Sequence, residues 1–230
     1  MSFALALFYH PEPGHEAPPD GAALRSRLAQ LGGLQDALIF TPAAAQDRYV
    51  DDGPPPMLGL QLHFARLEDL EAAACAGGEV QGLAGLADRA QPRVTAQAFW
   101  RRRWPVPAPW GPGRTPPRSC SYVVHYPGPA RDPNAWHSHY MASHPPLFQQ
   151  MPGIRGIEIL TPVDWVSGLP FEKTGYLQRN RVEFDTPQML QAALQSPVRD
   201  ALRADYHNFP PYEGGAAHFP MWTERFSPAG

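Results

Sequence analysis

An α+β fold is predicted, in which two tandem ferredoxin-like βαββαβ repeats face their antiparallel sheets toward each other as a barrel within one chain. Two observations carry this. The first is a repeat: Gly33-Leu34 through Leu38-Ile39-Phe40-Thr41-Pro42 returns 120 positions later as Gly153-Ile154 through Glu158-Ile159-Leu160-Thr161-Pro162. Phe64, Leu70, Ala72 and Ala73 return at the same offset as Phe184, Leu190, Ala192 and Ala193. Two coincidences at one long offset mark domain duplication rather than a solenoid unit. The second is the order of periodicities in each copy: strand, helix, strand, strand, helix, strand. A sheet of that order carries helices on one face only, and a second such sheet can cover the other.

The elements follow in order. Phe3 to Tyr9 is an apolar run of strand length closed by His10-Pro11, and a Pro/Gly-rich loop runs on to Pro19. Asp20 caps a helix from Gly21 in which Leu24, Leu28 and Leu31 share a face, and Gly32-Gly33 ends it. Leu34 to Phe40 and Met57 to Phe64 read as strands. Leu67 to about Ala76 reads as a helix that continues past glycines toward Leu86, and Val94 to Arg101 as a fourth strand. The segment from Pro105 to Pro117, rich in proline, is the linker. The domains are therefore 1–104, a worn repeat; 105–117, the linker; and 118–230, the repeat that carries the chemistry.

Composition narrows the function. A chain of 230 residues, 43% hydrophobic, can bury a core as one large domain or as two of about 100 to 120 residues. A net charge of -3 and a single short basic run, Arg101-Arg102-Arg103 between two tryptophans, argue against nucleic acid. There is no stretch of 18 apolar residues to span a membrane and no basic leader before the first strand. Two cysteines, Cys75 and Cys120, suit a reducing cytoplasm better than a disulfide scaffold, although two can form one bridge.

Three of the nine histidines fall within Trp136-His137-Ser138-His139-Tyr140-Met141-Ala142-Ser143-His144, before Pro145-Pro146-Leu147. On a helix from about Asn134, His137, Tyr140 and His144 form one stripe, and the prolines are expected to leave His144 at the helix end. His137 and His139 read more readily as surface or capping residues. In Gln178-Arg179-Asn180-Arg181-Val182-Glu183-Phe184, alternation puts Arg179, Arg181 and Glu183 on the barrel side, with Val182 and Phe184 under the helices. Two arginines can clamp a carboxylate, or can be spent in a network with Glu183. His218, Tyr176 and His125 are further pocket candidates, although parity alone does not choose among Tyr122, His125 and Tyr126. His207 reads as a helix cap.

Ser121-Tyr122-Val123-Val124-His125-Tyr126-Pro127, His139-Tyr140 with His144-x-Pro146-Leu147, and Met151-Pro152-Gly153 resemble the EthD-like branch of the dimeric α+β barrel superfamily, as do Val182-Glu183-Phe184-Asp185 and Asn208-Phe209. Within it, the muconolactone methylisomerase type is the nearest chemistry. The resemblance implies that His144 is catalytic and that the substrates come from aromatic ring cleavage. The tyrosine and cysteine that this type carries fall at Ile157 and Val182, which points away from methylisomerisation itself.

The expectation is a cofactor-independent isomerase acting on a carboxylated ring-cleavage product or lactone. In it His144 moves the proton, Tyr140 or His137 assists, and Arg179 or Arg181 holds the carboxylate. A methyl-ester or lactone hydrolase using the same parts is the alternative, and a haem-binding or non-catalytic barrel a further one. A metal set of His137, His139 and His144 is disfavoured because one helix does not converge ligands from opposite faces. No metal or cofactor is expected. The partner is a small anionic molecule, and the chain acts as a monomer with an internal pseudo-dimer or as a homodimer.

Overall fold

A computed structural model describes residues 2–11, 20–86, 93–111 and 113–228. The first half runs β1 (Ser2–His10), α1 (Gly21–Leu28), β2 (Leu34–Pro42), β3 (Leu58–Phe64), α2 (Leu67–Ala74), a 3-10 helix (Glu79–Leu86) and β4 (Arg93–Trp104). The second runs β5 (Arg118–Tyr126), α3 (Pro133–Phe148), β6 (Gly156–Pro162), β7 (Glu172–Lys173), β8 (Gln178–Phe184), α4 (Pro187–Leu194), α5 (Val198–Tyr206) and β9 (Ala217–Phe226). Eight strands pair antiparallel in the order β1-β3-β2-β9-β5-β8-β6-β4, and β4 pairs back to β1, which closes the barrel. The short β7 adds a parallel step on β4.

The closure joins the halves at two seams, β2 with β9 and β4 with β6. Closure removes the open edges that a four-stranded sheet would otherwise expose. β3 and β8 are then buried at all seven positions, whereas β9 is mostly half-buried and the short β7 is exposed. Outward-facing Leu5, Leu7 and Tyr9 pack with Leu24, Leu28 and Leu70 under α1 and α2. In the second half Tyr122, Val124, Tyr126, Val182 and Phe184 pack with Trp136, Tyr140, Leu190 and Leu202 under α3, α4 and α5. Inside the barrel Ala4, Ala6, Leu38, Phe40, Phe99, Val123, Leu160 and Met221 form a third core.

One end of that interior is polar. Glu158 accepts Arg101 Nε at 2.9 Å, Arg181 Nε at 3.0 Å and Gln61 Nε2 at 2.9 Å. Arg181 also meets Glu183 at 2.9 Å and donates to Ser121 Oγ at 3.1 Å, while Glu183 takes Arg225 and Ser119. His63 Nδ1 lies 2.5 Å from Asp36. Burial alone would raise the Glu158 carboxyl, but Arg181 and Arg101 more than offset it and hold it well below the usual carboxylate range.

Three local expectations are corrected. α3 does not stop before Pro145-Pro146 but runs through both to Phe148, so His144 lies inside the helix rather than at its end. Each proline forfeits its own N–H bond and crowds the carbonyl four residues back, but the buried stripe Trp136, Tyr140, His144 and Phe148 holds the last turn against the sheet. The helix after Leu67 stops at Ala74, and a separate 3-10 helix covers Glu79–Leu86. β4 extends to Trp104 and takes up the arginine run: Arg101 enters the barrel, and Arg102 lies over the Trp100 ring at 3.8 Å. The connection before β5 is pinned at residues 105–110. Pro105 and Ala108 carbonyls accept from Gln149 and Arg155, and Trp110 Nε1 donates to Asp185 at 2.8 Å.

Candidate active site

α3 starts at an Asp132 cap that accepts the N–H groups of Asn134 and Ala135, both at 3.0 Å, with Pro133 at the first position. From there, four-residue spacing sets Trp136, Tyr140, His144 and Phe148 against the outer face of β5 and β8. α5 buries Leu202, and Asp205, three residues on, faces α3. The result is a dyad: His144 Nδ1 lies 2.7 Å from Asp205 Oδ2, which also accepts Ser143 Oγ at 3.0 Å. His139 Nε2 approaches Asp205 Oδ1 at 3.5 Å. The rings of Phe148, Tyr140 and Phe209 surround the imidazole at 4.7, 5.0 and 5.1 Å.

Burial lowers the His144 pKa, and the bond to Asp205 only partly opposes that shift, so the ring is neutral at neutral pH. Burial would raise the Asp205 carboxyl, but its bonds to His144 and Ser143 outweigh this and keep it ionised. With Nδ1 engaged, Nε2 is the nitrogen left to act on a substrate, which is the base form that general-base chemistry requires.

His144 lines a small pocket with Tyr122, Val124, Tyr126, Phe148, Val182 and Leu202, whose volume of about 30 Å³ is room for a water molecule. Above it, Tyr122 and His218 stack at 5.4 Å and divide it from an outer cleft of about 380 Å³ that both also line. The first half supplies the roof. Residues 43–57, between β2 and β3, cross to the second half, where Asp47 accepts Tyr122 Oη and Arg199 Nε, each at 2.8 Å. Asp52 accepts His218 Nδ1 at 2.8 Å and its backbone N–H at 2.9 Å. Arg48 adds a bond to Asp200 at 2.9 Å.

The predicted residues divide between two places. His144 and His218 meet at this pocket, and Tyr140 backs the imidazole. His137 is half-buried beside Trp136 and does not line the pocket, because the buried stripe steps by four residues and leaves it to one side. Arg179, His125 and Tyr176 come together inside the barrel, across the sheet from His144. The joint role expected for His144 and a carboxylate-holding arginine is corrected: the two-residue period of β8 sends Arg179 and Arg181 to the face opposite the one His144 packs on. Arg181 is in any case engaged by Glu158, Glu183 and Ser121. His207 caps α5, its N–H bonded to the Arg203 carbonyl.

Asp205, Asp47 and Asp52 were not among the expected residues. Asp205 lies 61 positions from His144, and the loop aspartates reach the site only through barrel closure. No local pattern marks any of them. Among the described residues no cluster of three or more His, Cys, Asp or Glu could hold a metal ion, and no helix is long and apolar enough to cross a membrane.

No family model matches the sequence, and no curated protein matches it. Solved structures that align over nearly the whole chain include the following three. An anthrone oxidase-like protein matches with a TM-score of 0.65 at 15% identity, covering 100% of this chain and 94% of its own. A protein provisionally named a monooxygenase, from Fusobacterium nucleatum subsp. nucleatum ATCC 25586, matches at 0.54 and 5%, covering 100% and 95%. Another, from Lactobacillus acidophilus NCFM, matches at 0.50 and 8%, covering 99% and 96%. At these identities the likeness is one of fold: a mixed α+β chain closed as an eight-stranded antiparallel barrel of the ferredoxin-like type.

Proposed function

We propose that this chain is a small-molecule enzyme in which His144, oriented by Asp205, removes a proton from a conjugated or aromatic carbon acid. The 2.7 Å bond from Asp205 to a buried, neutral imidazole carries the reading. A carboxylate that fixes one ring nitrogen sets the tautomer and stabilises the imidazolium formed when the other takes the proton. Tyr122, Tyr126 and Phe148 wall the pocket and suit a flat, apolar substrate. Asp47, Asp51 and Asp52 line the approach, which favours a neutral lactone or ketone over a free carboxylate. Because the pocket now holds little more than a water, catalysis requires the Tyr122–His218 pair and residues 43–57 to move aside and then close, which excludes solvent.

Return of the proton to a different carbon gives isomerisation, the preferred outcome. Activation of a water at an ester or lactone carbonyl would give hydrolysis with the same dyad. The names of the fold neighbours favour one further outcome. The carbanion adds to dioxygen, protonation gives a hydroperoxide, and loss of water leaves a carbonyl. In each case the first half acts as a worn repeat, residues 1–104, that roofs the equipped repeat at 118–230, with 105–117 between them. The motif residues from His139 to Gly153 support an EthD-like origin for the second.

The shared first step is testable before the product is known. In D2O, a panel of lactones, dienoates and aryl-flanked ketones should include a compound whose C–H exchanges in the presence of the protein, followed by proton NMR. His144→Ala should slow that exchange by roughly 10²- to 10⁴-fold, and Asp205→Asn should slow it less. Equal exchange by wild type and His144→Ala would overturn the assignment. Oxygen uptake and ultraviolet spectra of the same reaction then separate oxygenation from isomerisation.

A further inference from the structure

Two arginines two residues apart on β8 have opposite surroundings. Arg181 is paired on every side, by Glu158, Glu183 and Ser121. Arg179, only 1% exposed, has no hydrogen-bond partner at Nε, Nη1 or Nη2 among the described residues. Aromatic rings surround it instead: its guanidinium carbon lies over Phe8 at 4.5 Å, Tyr176 at 4.5 Å and Phe99 at 5.7 Å. Directly opposite on β5 is His125, also buried, whose Nε2 has no partner among the described residues. The His125 ring is held against Phe8 at 4.6 Å and Phe219 at 5.4 Å.

Cation–π contact offsets part of the charge, but a guanidinium stripped of water with its N–H donors unused is costly, and such groups are retained where something binds them. Burial lowers the Arg179 pKa to about 10, which still leaves it charged at neutral pH. Burial, with Arg179 nearby, pushes the His125 pKa well down, so that ring is neutral and brings a donor or an acceptor without charge. The neighbouring polar groups are occupied: Gln97 is bonded to Thr174 and to the Tyr176 backbone, and Thr95 to His10. The site therefore presents one fixed positive charge, a planar set of donors and apolar walls. Tyr176 against Arg179 and Phe219 against His125 are each only half-buried.

We propose that Arg179, with His125 beside it, binds the carboxylate of a small monoanionic organic acid inside the barrel, at a site separate from the His144 pocket. The planar fork matches a carboxylate in bidentate fashion. A single guanidinium in a low-dielectric interior balances one negative charge and leaves a dianion uncompensated.

The test is thermal unfolding of the full chain with formate, acetate, chloride and phosphate added in turn, at equal ionic strength balanced with sulfate. Formate or acetate should raise the melting temperature saturably, and chloride and phosphate should not. Arg179→Met should abolish the response and, without anion, melt at or above wild type, because an uncompensated charge has been replaced by an apolar chain of similar length. Should that variant fail to fold, Arg179→Lys, which keeps the charge and loses the fork, should weaken acetate binding by at least tenfold in calorimetry. His144→Ala should leave the acetate response intact, which separates this site from the acid–base pocket. The proposal fails if no carboxylate gives a saturable response, if chloride matches acetate, if Arg179→Met retains the response, or if His144→Ala removes it.

Discussion

Glu158→Gln should be among the most destabilising single substitutions in the barrel. The carboxylate sits between Arg101 at 2.9 Å and Arg181 at 3.0 Å, and all three groups are nearly solvent-free. With the charge removed, the amide oxygen can still accept from one arginine, but Arg181 keeps its ion pair with Glu183 and its bond to Ser121, while Arg101 is left with no ion pair among the described residues. Breaking a buried pair so that one charge is left uncompensated costs about 3–5 kcal/mol. For a chain of this length, each kcal/mol moves the melting temperature by about 2–4 °C, so a fall of about 6–20 °C is expected by calorimetry. The double variant Glu158→Gln with Arg101→Met should recover most of the loss, because it removes the stranded charge. A single-variant loss below about 1 kcal/mol, the worth of an exposed pair, would refute the network as described. So would a double variant less stable than the single one.

Three further outcomes follow from the same geometry. Asp47→Ala frees Tyr122 and Arg199 and unlatches residues 43–57; losing hydrogen bonds that include a charged partner, about 1.5–3 kcal/mol, should speed hydrogen exchange there by roughly 10- to 100-fold, read by mass spectrometry. Cys75 is exposed, whereas burial pushes the Cys120 thiol up to about 12, so a thiol reagent should label Cys75 in the native protein and both cysteines only in denaturant. Burial depresses the pKa values of His63, His125 and His144 in the folded state, so below the ordinary histidine value of 6.5 the unfolded chain binds more protons than the native one. Urea-unfolding stability should accordingly be level from pH 7 to 8 and fall as pH drops below 6.5; a rise over that interval would contradict these burials.

Much of the architecture could be read directly from the residues. The apolar runs at Phe3–Tyr9 and Met57–Phe64, the Asp20 cap and the leucine spacing of α1 depend on neighbours within a few positions, and the structure follows them closely. Alternation also assigned Val182 and Phe184 to the helices and Arg179, Arg181 and Glu183 to the barrel, because a strand's two faces are settled by parity. Local rules failed at Pro145-Pro146, where burial of His144 and Phe148 against the sheet outweighs the loss of two helical hydrogen bonds.

The sequence by itself determined which residue types were on hand: a histidine-rich helix, a charged buried strand and the alternation that sorts it. Tertiary structure decided their partners. Closure through β2–β9 and β4–β6 brings Glu158 to Arg101, carries Asp47 and Asp52 over Tyr122 and His218, and leaves Arg179 alone among aromatic rings. Packing of α5 on α3 brings Asp205 to His144. Whether a buried charge is neutralised or left open to a ligand depends on what lies within about 4 Å of it, and across a closed barrel those neighbours come from strands far apart in the chain.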